Sequence, residues 1–225
     1  MEQDSNAGQS WIRITDTKLR NQSMLTVSGN GLGTALICAF AFGCASEAPH
    51  LSMEEETQIS AIGQESAQLL AASLVTNLSA AIQEGGLTHA VDFCSSEAIR
   101  LTADVQDQLG RGLVIKRTTF KFRNPANAPD DLEAAALHYF ESTLHEKDSL
   151  PSYYVQRVST DEFRYYQPLL VNQLCLQCHG NPGEIDPAVM QQLRARYPDD
   201  RATGYASGEL RGLIRVSVPA QLVTQ

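Results

Sequence analysis

Positive charge is scarce in this chain. Its 225 residues carry 17 Lys and Arg against 26 Asp and Glu, for a formal net charge of −9. A general nucleic-acid binder is thereby disfavoured, because such affinity rests on neutralising phosphates. Aromatic residues are also modest at 7%, with a single Trp, while 43% of the chain is hydrophobic. Such a composition is neither disordered nor fibrous, and it supports one domain with a substantial core. The apolar stretch LGTALICAFAFG, residues 32–43, stops at twelve positions, short of the roughly 20 that a bilayer-spanning helix needs. Internal repeats and low-complexity segments are absent. Cysteine is sparse, at five residues, and where those five fall carries most of the functional argument.

The first 50 residues are not fold-like. The apolar stretch has the length of a secretory h-region, and GCAS at 43–46 reads as a lipobox. In that motif a diacylglyceryl group is attached to Cys44 and the leader, residues 1–43, is removed. Ala41 and Phe42 depart from the usual pattern, and the basic residues Arg13, Lys18 and Arg20 are interleaved with Glu2, Asp4 and Asp16. Met24 is an alternative start. The expected organisation is a leader over 1–43, a short linker over 44–54 and a folded domain over 55–220. The mature protein is then periplasmic, anchored through lipid to a bacterial membrane. Losing residues 1–43 removes three acids and three bases, so the mature chain stays at −9.

Cys38 leaves with the leader and Cys44 belongs to the anchor, which leaves Cys94, Cys175 and Cys178 in the domain. The last two stand in CLQCHG, residues 175–180. Structural zinc usually takes four Cys or His ligands, often from two CxxC knuckles, and only one knuckle is present. A thioredoxin-like dithiol follows a strand and opens a helix, whereas this pair comes late, with Pro182-Gly183 just beyond. The third reading is covalent haem c, with thioethers at both cysteines and the adjacent His179 as proximal iron ligand. The export signal and the Gly180 turn favour haem, and the single motif predicts a single haem. Cys94 is the odd cysteine. It falls with Val91 and Ala98 on the apolar side of a predicted helix, where a small buried hydrophobe is the plainest reading.

Hydrophobic periodicity orders the rest. SMEE at 52–55 is a capping box opening a helix with Ile59, Ile62, Leu69, Leu70, Leu74, Leu78 and Ile82 on one face, ending near Gly85-Gly86. A second helix spans 87–110. Alternation predicts a strand from Gly112 through Asn124, a loop to Pro129, then a helix capped by Asp130 to about His145. The inner stripe of that helix is read as Leu132, Ala135, Ala136, Tyr139 and Phe140. Two antiparallel strands, 152–159 and 162–171, meet at Thr160-Asp161. Asp186-Pro187 opens a short helix to about Arg196, and 209–219 is a final strand. The class is α+β, a mostly antiparallel sheet flanked by helices.

Cys94, then KRTTFKFRNPANAPD (116–130), YYQPLLVNQLCLQCHG (165–180) and RYPDDRATGYASGELRG (196–212) together resemble one bacterial family. This is the single-haem c-type cytochrome family with a PAS-like fold, first seen structurally in a cyanobacterial protein and otherwise a domain of unknown function. The resemblance covers residues 55–220. It implies a PAS-like sheet and a haem held between the CxxCH histidine and a distant cysteine, here His179 and Cys94. The rival sixth ligands are Met53, Met190, His89, His138 and His145.

Thiolate ligation favours ferric iron and a low potential, so the expected function is periplasmic electron transfer with an unidentified redox partner protein. The alternative is a redox or gas (CO/NO) sensor acting through a partner protein, since no output module is attached. An enzyme is disfavoured because two protein ligands block the open iron site that a peroxidase requires. Homodimerisation is left open. Arg111, Lys116, Arg117, Lys121 and Arg123 crowd thirteen residues. On a strand Arg117, Lys121 and Arg123 share a face, and Arg117 or Arg123 is the expected partner of a haem propionate.

Overall fold

The computed structural model describes residues 51–147 and 149–223. The predicted leader and Cys44 lie outside them. The first element is a long helix, α1 (Met53–Leu109). It begins as the capping box predicts: Ser52 Oγ accepts from Glu55 N at 3.1 Å and Glu55 Oε2 accepts from Ser52 N at 2.8 Å. The two expected helices are its two arms, broken at Gly85 and Gly86, where Gly86 has φ +74°. An L side chain disfavours that conformation and glycine does not, so the chain bends there without unwinding further.

Four strands form one antiparallel sheet in the order β1 (Val114–Thr118), β4 (Leu210–Pro219), β3 (Glu162–Leu170), β2 (Tyr154–Arg157). β2 and β3 are the expected hairpin, and β4, from the C-terminal end, is inserted between β1 and β3. Central placement explains why residues 212–218 are all buried. Both faces of β4 are covered, which removes the usual inside/outside alternation.

Period two sorts the sheet residues. Ile115, Phe163, Tyr165, Ile214, Val216 and Val218 pack against the first arm of α1 through Ile59, Ala67 and Leu70. Tyr166 and Leu213 face the other way, onto Ala136, Leu137 and Phe140 of α2 (Asp131–Lys147). A fully buried Leu or Phe here stabilises by about 2–3 kcal/mol. The short helix α3 (Gln173–His179) carries the CxxCH motif, and α4 (Pro187–Arg196) opens on Asp186, whose Oδ1 accepts from Ala188 N at 2.8 Å. α4 packs Val189 and Leu193 on Val91 of the second arm of α1. No described helix is long and apolar enough to cross a membrane.

Two expectations are corrected. The first strand ends at Thr118, not Asn124, because Thr119 N donates to Asn127 O within its own loop at 3.2 Å and leaves the sheet. Arg117, Lys121 and Arg123 therefore do not share a strand face. The inner stripe of α2 is also rotated. Ala135 and Tyr139 are exposed, while Leu137 and Glu133 are buried. Glu133 goes inside because it is a charge hub: Lys116 Nζ at 2.7 Å, Arg215 Nε at 3.1 Å and Thr118 Oγ1 at 3.1 Å all donate to it. A periodicity count admits no carboxylate to a core, whereas burial of a fully paired one is allowed.

Candidate functional site

The bend in α1 leaves a wedge between its arms, closed by α3 and the start of the sheet. Two adjoining cavities of about 220 and 310 Å³ occupy it. They share the walls Leu74, Val75, Arg117, Asn127, His179 and Arg211. Cys94 lines the first and Cys175 the second. Residues 94 and 179, far apart in the chain, thus face one space.

Local structure fixes each of them. Asn172 caps α3 by accepting from Cys175 N at 3.2 Å, and Gly180 N closes the helix on Leu176 O at 2.9 Å. Cys178 packs into the α4 cluster. The following loop then runs back along the motif: Tyr205 N donates to His179 O at 3.0 Å and Gly204 N to Gly180 O at 2.7 Å. His179 Nδ1 lies 2.7 Å from Ala202 O. A carbonyl only accepts, so Nδ1 carries the proton and Nε2 keeps a free lone pair. Burial, reinforced by the positive charges of Arg123 and Arg211, holds the imidazole well below the ordinary histidine value. It is neutral, as a metal ligand must be.

Arg123 ties this arrangement together. Its Nε donates to Asp200 Oδ2 at 3.1 Å, and its Nη2 donates to Cys178 O at 2.6 Å and Ala202 O at 3.4 Å. Asp200 also accepts from Ala202 N at 2.8 Å. Arg123 is thus engaged by Asp200 and by two carbonyls of the motif's surroundings. Arg117 sits across the wedge, its Nη2 donating to Ala98 O at 3.2 Å on the arm that carries Cys94. Burial raises the Cys94 thiol, opposed by the charges of Arg117 and Arg123, and burial likewise raises Cys178. Tyr197 closes the same space, its hydroxyl pushed up to about 12 by burial and then by Cys94.

The rival ligands fall elsewhere. Met53 is exposed, Met190 of α4 packs into the cluster of Val91, Ile185, Val189 and Leu193, His89 pairs with Glu84, and His138 lies against Phe120. His145 lines a separate cavity on the α2 side. Lys116 is held at Glu133, and Arg111 reaches Glu65 at 3.5 Å. Among the described residues no cluster of three or more His, Cys, Asp or Glu could hold a metal ion. Two residues of the site went unassigned in the sequence, Asp200 and Arg211. Both stand in the RYPDDRATGYASGELRG stretch; for Arg211 the available signal was a charged residue between Gly208 and Gly212, and for Asp200 there was none.

A family model described as Tll0287-like: Tll0287 matches residues 45–219. The crystal structure of the cyanobacterial heme-protein Tll0287 is 22% identical, with a TM-score of 0.52, over 75% of this chain and 97% of that one. It shares the fold. No curated protein matches.

Proposed function

Because this chain belongs to the Tll0287-like family, we propose that it is an exported single-haem c-type cytochrome working in periplasmic electron transfer. The observation that carries the reading is the convergence of His179 and Cys94 on one cavity beside the CxxC pair. The residues fit the group. His179 offers a neutral imidazole with its second nitrogen already bonded, the usual arrangement of a ligating histidine. Cys175 and Cys178 form no disulfide and would carry the thioethers, while His179 and Cys94 would hold the iron. Leu74, Leu78 and Phe93 supply an apolar wall for a porphyrin face.

Haem supplies reversible one-electron chemistry at its iron. The chain's own residues decide how it is used. Ala202 O orients His179, Arg123 and Asp200 fix that carbonyl, and Cys94, if held as a thiolate by the iron, would favour the oxidised state. Val75, Ile99 and Leu170 are large apolar side chains that remain exposed at the rim, a surface that a redox partner could cover. Export through the leader and lipidation of Cys44 would place the domain where c-type attachment takes place.

The test is expression of the chain with a working haem-ligation apparatus. The expected product is coloured, carries covalent haem and gives a low-spin ferric spectrum that changes in Cys94→Ser. A colourless wild type, or a spectrum indifferent to Cys94→Ser, overturns the assignment. Unchanged six-coordination in the reduced protein under carbon monoxide supports electron transfer, whereas rapid gas binding with loss of Cys94 makes it a sensor.

A further inference from the structure

Most buried cations among the described residues have acids beside them. Lys116 and Arg215 meet Glu133, Arg123 meets Asp200, and Arg157 meets Glu55. Arg117 and Arg211 differ, since neither has a carboxylate within ion-pair distance among the described residues. Arg117 donates one bond to Ala98 O, and its Nε is buried with no partner. Arg211 Nη1 donates to Lys121 O at 3.2 Å and Thr119 Oγ1 at 3.4 Å, and its guanidinium lies 5.3 Å from the Tyr205 ring. Both line both lobes of the wedge cavity. Burial lowers the pKa of each, and a neighbouring cation adds to it: Arg211 at Arg117, and Arg123 at Arg211.

A buried guanidinium without a counter-charge is costly, and two in one cavity more so. The neighbouring groups do not neutralise them: Asp200 belongs to Arg123, Tyr197 and Tyr205 are phenols, and Cys94, whose negative charge would favour Arg117, is a thiol raised by burial and in the haem reading is spent on the iron. The remaining walls are apolar at Leu74, Val75 and Leu78. A ligand completing this site has an apolar body and an anionic edge. Guanidinium forks match a carboxylate bidentately.

We propose that Arg117 and Arg211 form a two-guanidinium site that receives one propionate carboxylate of the bound tetrapyrrole. This rests on the haem reading and narrows it. Arg123, the other residue expected there, positions the His179 loop instead, and Arg211 takes its place.

The test uses the haem-loaded full chain, its haem carboxyl carbons labelled with carbon-13 through labelled aminolevulinic acid. Infrared difference spectra between oxidised and reduced protein read those carboxyl groups directly. Arg117→Met and Arg211→Met are each expected to move the labelled carboxylate band toward that of a free carboxylate. Arg201→Met, an exposed arginine over the Phe122 ring, should leave it in place. Arg117→Lys and Arg211→Lys keep the charge and serve where a Met variant fails to load haem; each should give an intermediate band. Labelled bands identical to wild type in every loaded Arg117 and Arg211 variant overturn the site while leaving the haem reading intact. A wild type without covalent haem overturns both.

Discussion

Arg123 joins two segments that never pair as regular structure. Through Asp200 on one side and the carbonyls of Cys178 and Ala202 on the other, it holds the loop whose carbonyl orients His179. Both members of the Arg123–Asp200 pair are largely buried, at 12% and 13% side-chain exposure. Breaking such a pair from one side leaves an uncompensated charge, so Asp200→Leu is expected to cost about 3 kcal/mol, read as a lower urea midpoint. Asp200→Asn keeps the acceptor for Ala202 N and should cost less. In the haem-loaded protein it should also shift the midpoint potential, through the altered hydrogen bond to the imidazole. At this scale Cys175, Cys178 and His179 could be singled out as candidates because they stand in adjacent positions. Asp200 was not: its partner lies 77 residues away, and nothing in local spacing encodes a tie of that span.

Among the elements, α1 sets the tolerances. A Cβ at Gly63 would lie 2.1 Å from the Tyr165 ring, so the first arm rests on the sheet at van der Waals range. Gly63→Val is expected to destabilise by about 3 kcal/mol through overpacking, with a lower melting temperature as the readout. Leu137, fully buried in α2, gives a second check. Leu137→Ala should cost about 2–5 kcal/mol, whereas Ala135→Ser on the exposed side should stay within about 0.5 kcal/mol. That contrast decides between the observed stripe of α2 and the one read from periodicity. The helix starts were legible because Ser52, Asp130 and Asp186 announce them chemically. The end of β1 was not, since RTTFKFRN keeps alternating after the backbone has left its partner. Alternation records preference for a pleated surface, and here a competing bond from Thr119 to Asn127 decides the outcome.

For the whole molecule, acid response follows from the buried carboxylates. Burial pushes Glu133 up, but the hydrogen bonds from Lys116 and from Asp130 N, with the charge of Arg215, hold it below its ordinary value. Glu55 is lowered by its bond from Ser52 N and by Arg157, against a smaller opposing effect of burial. A depressed folded-state value means the unfolded chain binds more protons in that range. Their stabilisation is therefore complete above the unfolded carboxylate value, about 4.3, and lost as pH falls through the lower folded values. Urea midpoints should be flat from pH 7 to 5 and drop below about pH 4, with a shallower drop in Lys116→Met. The α+β class and sheet were readable from pattern, while the insertion of β4 between β1 and β3 was not, because strand order is a property of long-range packing.

The glycine pair in α1 gives the molecule a fulcrum. Leu74 and Leu78 sit on one jaw, Phe93, Cys94 and Ile99 on the other; residues 85 and 86 join them along the chain, and Val105 packs the far end of the second arm onto Ile59, Ala67 and Leu70 of the first. Changing the angle there would leave every side chain in place along its own helix while altering the gauge between the jaws. In this fold the width of the gap depends on two residues that line no part of it.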